Sequence, residues 1–140
     1  MSVFVDTSAF LAVLDADDER HKQASNIWEH IIGNDERLIC SNYVLVETFA
    51  LVQNRLGMEA VRAFQEDVCP MLKIEWINEA YHRAGVASLL AASRRKLSLV
   101  DCTSFELMRG LGLTRVFCFD SHFREQGFEI LVSTRRRNHS

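Results

Sequence analysis

Val3-Phe4-Val5-Asp6-Thr7-Ser8-Ala9-Phe10-Leu11 (VFVDTSAFL, residues 3–11) joins two kinds of local structure through one carboxylate. The β-branched and aromatic residues before Asp6 predict a short buried strand over 2–5. The apolar run after it predicts a helix over 7–14. Asp, Thr and Ser between them supply side-chain oxygens to the unpaired N–H groups of a helix start. Taken alone, Asp6 is a helix cap. It is also well placed to be one wall of a site, and the rest of the chain decides between these roles.

Outward from this stretch, strand and helix patterns alternate. Residues 19–33 read as a helix stopped by Gly33 and Asn34, and residues 37–40 as a second strand. Ser41 or Asn42 caps a helix over 43–56 that ends at Gly57, and another helix covers 58–68. Residues 73–77 form a third strand, 78–93 and 99–111 two helices, 116–119 a fourth strand and 128–132 a fifth, reached by a turn at Gly127. Strands separated by helices imply right-handed crossovers and a parallel five-stranded sheet covered on both faces, a three-layer α/β/α domain.

The 140 residues suit one domain, expected over 1–132 with a basic tail at 133–140. Hydrophobic content of 48% with 25% charged residues is that of a globular chain able to build a core without disulfides. Cys40, Cys69, Cys102 and Cys118 form no C-x-x-C pair and no zinc spacing with histidine, so they are expected to be small buried thiols in a reducing cytoplasm. The start of the chain has no basic leader and Asp6 interrupts its apolar run, so neither a secretory signal nor a membrane span is expected. Residues 1–70 hold 12 acids and 5 bases, residues 71–140 hold 7 acids and 11 bases. The basic half, with Arg94-Arg95-Lys96 and Arg135-Arg136-Arg137, permits a nucleic-acid partner without establishing one.

In a parallel sheet every strand ends on the same edge, and helices running against the strands begin there. Asp6 follows the first strand and Asp120 the fourth, while Glu47 and Asp101 lie near the starts of helices at that edge. Each aspartate alone reads best as a cap, and Ser98-Leu99-Val100-Asp101 resembles a capping box. Glu47 differs. From Tyr43 to Val52 only Glu47 and Thr48 are polar, so a buried helix with a carboxylate in need of a partner is expected. Four acids converging on the ligand-binding edge of such a sheet repel one another unless positive charge sits among them. An arginine could supply it. Hard oxygen donors suit Mg2+ or Mn2+ better, and those ions hydrolyse phosphodiesters without a cysteine nucleophile or histidine base.

VFVDTSAFLAVLD, SNYVLVETFALVQNRLG, LSLVDCTSFELMRGLG and VFCFDSHFREQGFEIL, in this order and spacing, resemble the four acidic segments of PIN-domain ribonucleases, and within them the VapC-like toxins of toxin–antitoxin pairs. The likeness runs from Val3 to Leu131. It implies a PIN-like fold, Mg2+- or Mn2+-dependent endoribonuclease activity leaving 5′-phosphate and 3′-hydroxyl ends, and catalytic, metal-holding roles for Asp6, Glu47, Asp101 and Asp120. It also implies an RNA substrate, a homodimer, and a small antitoxin protein whose C-terminal segment reaches the site. Many relatives carry Thr or Ser two residues before the last aspartate, where this chain has Cys118; Thr7, Ser8 or Thr103 would then orient the carboxylates.

Other residues read more plainly. His21 and His122 are candidates for substrate contact, with a surface or helix-terminal histidine the favoured reading of both, and Asp15–Glu19 is expected to be a solvated loop. Trp28, Trp76 and the phenylalanines are assigned mostly to the core, while Arg94, Arg95, Lys96 and Arg109 divide evenly between phosphate contacts and surface charge. The rivals are a PIN-fold processing nuclease with no toxin role and a catalytically silent RNA-binding module. A receiver-like phosphoacceptor wants an acidic pair after the first strand, where Asp6 is followed by Thr7. An aspartyl phosphatase wants an aspartate at the position of Ser8.

Overall fold

The computed structural model describes residues 1–132; the expected basic tail at 133–140 lies outside the described residues. Five strands, β1 (Ser2–Val5), β2 (Arg37–Ser41), β3 (Leu72–Glu75), β4 (Arg115–Phe117) and β5 (Glu129–Ile130), form one parallel sheet in the order β3-β2-β1-β4-β5. The helices are α1 (Thr7–Leu14), α2 (His21–Gly33), α3 (Asn42–Leu56), α4 (Met58–Ala63), α5 (Glu79–Ala92), α6 (Leu99–Leu111) and α7 (His122–Glu125). The expected three-layer architecture is what forms. β1 is central because Val3, Phe4 and Val5 are wholly buried, so both faces of this strand need cover.

Several boundaries move for identifiable reasons. The expected helix over 58–68 keeps its α geometry only to Ala63, then widens into a π-helical turn (Phe64–Val68) and a tight turn (Cys69–Met71) ahead of β3. That widening seats Phe64, fully buried, edge-on against Phe10 and Phe49. The third strand ends at Glu75 rather than at residue 77, because Asn42 Oδ1 accepts the Ile77 N–H at 2.6 Å. The fifth strand is cut to Glu129–Ile130, since β4 offers only Arg115 and Val116 as pairing partners. Trp76, expected in the core, is 69% exposed.

Helix ends follow the chemistry of their caps. Ser41 Oγ accepts from Val44 N–H at the start of α3, and Asn78 Oδ1 from Tyr81 N–H at the start of α5. α6 spans the predicted 99–111 and closes on Gly112 in the left-handed region, φ +71°. α5 and α6 approach closely because Gly85 has no side chain: a Cβ there would stand 2.4 Å from Thr103 Cγ2. The four cysteines are free thiols, three buried and Cys69 half-buried. Among the described residues no helix is long and apolar enough to cross a membrane.

Candidate metal centre

Asp6 does both jobs that the sequence left open. It caps α1, with Oδ2 accepting from Ser8 N–H at 3.2 Å and from Ser8 Oγ–H at 2.9 Å. Ser8 Oγ in turn accepts the Phe119 N–H at 2.9 Å. One serine therefore ties the end of the central strand to the loop that carries Asp120. Of the three hydroxyls expected to orient carboxylates, Ser8 is the one that does so. Thr7 and Thr48 hydroxyls lie 3.2 Å apart and turn to the Val44 carbonyl, and Thr103 bonds its own helix at Val100 O. Cys118, where relatives carry a hydroxyl, is buried, and its thiol is pushed up to about 12 chiefly by that burial. A neutral thiol adds no charge to the cluster beside it.

Asp101 also occupies the position its sequence signature predicts. Ser98 Oγ accepts from Asp101 N–H and Asp101 Oδ2 accepts from Ser98 N–H, each at 3.0 Å, a complete capping box. This holds the carboxylate over the start of α6 at the carboxyl edge of the sheet. Asp120 Oδ1 accepts the His122 N–H at 2.8 Å, a local turn that swings the His122 ring back toward the acids.

The consequence is a role that the sequence reading weighed and set aside. His122 is helix-terminal, as expected, because it opens α7, but it is no surface histidine: its side chain is 14% exposed, with Nδ1 3.0 Å from Asp120 Oδ1 and 3.8 Å from Asp101 Oδ2. One ligating atom from each of Asp101, Asp120 and His122 falls within 4.8 Å of the others. The sequence signal for His122 was slight, its position two residues beyond an aspartate whose carboxylate can capture its N–H. His21 behaves as expected, opening α2 with Nδ1 2.8 Å from Ala12 O.

Asp6 and Glu47 stand outside that tight group, and Asp6 feels the charge of both Asp101 and Glu47. Burial is the largest influence on Asp6 and raises its carboxyl from 3.8 to about 7; the Ser8 hydrogen bonds oppose the rise, while the charges of Asp101 and Glu47 add to it. Asp101 is raised too, first by burial and then by Asp120, against the lowering effects of Ser98 and His122. Glu47 departs from the fully buried setting expected of it. It is half-buried, and its neighbour Val46 is 68% exposed, so α3 keeps one apolar face in solvent. The four predicted acids thus share one edge and one electrostatic field, with Asp101 and Asp120 at its centre.

The donors suit a divalent cation on two structural grounds. Carboxylate oxygens dominate, the chemistry of hard ions. His122 Nδ1 is, among the described residues, the buried side-chain nitrogen with no hydrogen-bond partner, since its contact with Asp120 is out of line for one. Such an atom beside carboxylates raised first by burial and further by one another marks a place built to take positive charge.

Comparison with known proteins identifies the fold's family. The PIN domain matches residues 3–129. The chain is 32% identical over 127 residues to the 23S rRNA-specific endonuclease VapC20 of Mycobacterium tuberculosis, covering 90% of this chain and 95% of that protein. The crystal structure of M. tuberculosis VapC20, a sarcin–ricin loop cleaving toxin, superposes with a TM-score of 0.82 at 30% identity over 93% of this chain and 98% of that one. DNA-bound VapBC from Salmonella typhimurium has a TM-score of 0.67 at 19% identity, covering 94% and 98%, a likeness of fold.

Proposed function

The chain belongs to the PIN-domain family, and from that premise we propose that it is a metal-dependent endoribonuclease hydrolysing RNA phosphodiester bonds, the toxin of a type II toxin–antitoxin system. One observation carries the proposal: buried Asp101 with Asp120 and His122, beside a raised Asp6, at the carboxyl edge of a parallel sheet. Asp101 and Asp120 would hold the cation, Mg2+ or Mn2+, with Asp6 and Glu47 completing the acidic site around it. When bound, it supplies an activated water and offsets the charge of the scissile phosphate.

The chain's own residues prepare that chemistry. The Ser98 capping box fixes Asp101, Ser8 fixes Asp6 and joins it to the Asp120 loop, and the Asp120–His122 turn fixes the third corner. Without a cation the same carboxylates repel the RNA backbone, so binding of ion and substrate are coupled. Residues 1–132 act as one nuclease domain in the cytoplasm, consistent with free thiols. Val46, Trp76 and Leu90, exposed on α3, beyond β3 and on α5, supply apolar surface for a second copy or for an antitoxin.

By analogy with VapC20, the first RNA to test is 23S rRNA. Purified protein with Mg2+ or Mn2+ is expected to cut it, and EDTA to stop the cut. Full activity in Asp6→Asn would remove the assignment, and an inert wild type across ribosomal and unstructured RNAs would favour a silent binding module.

A further inference from the structure

Beside the acid cluster lies a cleft of about 190 Å³ that the carboxylates do not use. Asp120 forms part of its wall and is the one residue of the acid cluster that does, so the cleft and the candidate centre share that side chain. Phe119 and Leu131 give it apolar surface, and Gln23, Ser121 and Arg124 a polar rim. Arg124 is exposed and has no carboxylate within ion-pair distance among the described residues. In the same half of the chain Arg83 pairs with Glu79, Arg94 with Glu125, Arg109 with Glu106 and Gln126, and Arg115 with Glu36, while Arg95 and Lys96 share the unpaired state of Arg124 but do not line the cleft. A second cation, Arg20, lies over the Phe119 ring at 5.4 Å. The cluster needs a cation to accept an anion, whereas this flank already carries positive charge next to an apolar hollow.

We propose that this cleft is a nucleotide subsite, in which one unstacked base of the RNA beside the scissile bond enters against Phe119 and Leu131 while Arg124 holds that nucleotide's phosphate. The proposal rests on the nuclease reading and deepens it. Single-stranded RNA is read through splayed bases on apolar or aromatic surfaces with arginine on the backbone, and the cleft offers both within one wall of the cutting edge. It would also select looped over paired RNA, since a base in a helix cannot leave its stack without cost.

The test uses a short fluorescein-labelled single-stranded RNA with phosphorothioate linkages that resist cutting, and copies carrying one abasic site at successive positions, in fluorescence anisotropy with saturating Mg2+. Arg124→Ala is expected to weaken binding on the order of tenfold. It should also flatten the slope of log affinity against log salt by roughly 0.7. One abasic position should weaken the wild type roughly fivefold. Gln23→Trp, a change on the exposed rim that fills the hollow, should abolish that difference. Unchanged affinity and salt slope in Arg124→Ala, or equal binding of every abasic RNA by the wild type, overturns the subsite. Cleavage of 23S rRNA by the wild type with those negative results would sink the subsite alone. No cleavage with the expected binding changes would sink the nuclease reading and leave the cleft a nucleotide site.

Discussion

The two edges of the sheet treat buried carboxylates in opposite ways. At the amino edge Glu36, just before β2, meets Arg115, the first residue of β4, at 2.5 Å with both side chains largely covered. The Arg115 guanidinium holds Glu36 below its ordinary range. At the carboxyl edge Asp6 and Asp101 are buried with no arginine beside them, and both are raised. The same short strands carry both arrangements. Where charge serves only the fold it is paired; where it is left unpaired, something outside the chain is meant to complete it.

Exchanging charge at the two edges should break this symmetry. Asp101→Asn is expected to lower RNA cleavage by at least about 100-fold, measured as initial rate with saturating Mg2+. Asp6→Asn should do the same yet melt higher than the wild type without metal, because asparagine still caps α1 while the buried charge is gone. A lower melting temperature would mean that Asp6 is a structural carboxylate like Glu36. Gly85→Ala forces α5 from Thr103 on α6, the helix that carries Asp101; a loss of about 2 kcal/mol in denaturant unfolding is expected. Glu36→Gln should cost about 1–2 kcal/mol, discounted for its partial exposure, and leave cleavage unaltered.

The smallest effect is a pH dependence of opposite sign at the two edges. Asp6 has a folded value of about 7 against an ordinary 3.8, so its stabilising contribution is complete below 3.8 and fades as pH rises through 7. Glu36 is lowered from 4.5, so its contribution is present above that value and fades as pH falls through its folded value. Metal-free protein should therefore melt a few degrees higher at about pH 6 than at about pH 8, and saturating Mg2+ should flatten the difference.

Much of this was legible in the chain itself. Helix α6 was readable to the residue because Ser98, Asp101 and Gly112 write its two ends in side-chain chemistry. The placement of Asp6, Asp101 and Asp120 at one edge followed from parallel topology alone. The shortfalls are tertiary. Nothing local to Trp76 says that Asn42, 35 residues away from Ile77, will take the next N–H and end the strand. Nothing local to Glu47 says that Val46 faces solvent instead of a neighbouring element. His122 was set aside because a lone histidine carries no period; its role appears only when Asp101, from a different helix, is brought within 3.8 Å.

Calorimetric titration of Mn2+ into metal-free wild type, beside Asp101→Asn and Glu36→Gln, asks directly whether the unpaired edge is a cation site. Saturable binding in the wild type and in Glu36→Gln, lost or strongly weakened in Asp101→Asn, is the expected outcome. Equal binding by wild type and Asp101→Asn, or none by the wild type, would refute it.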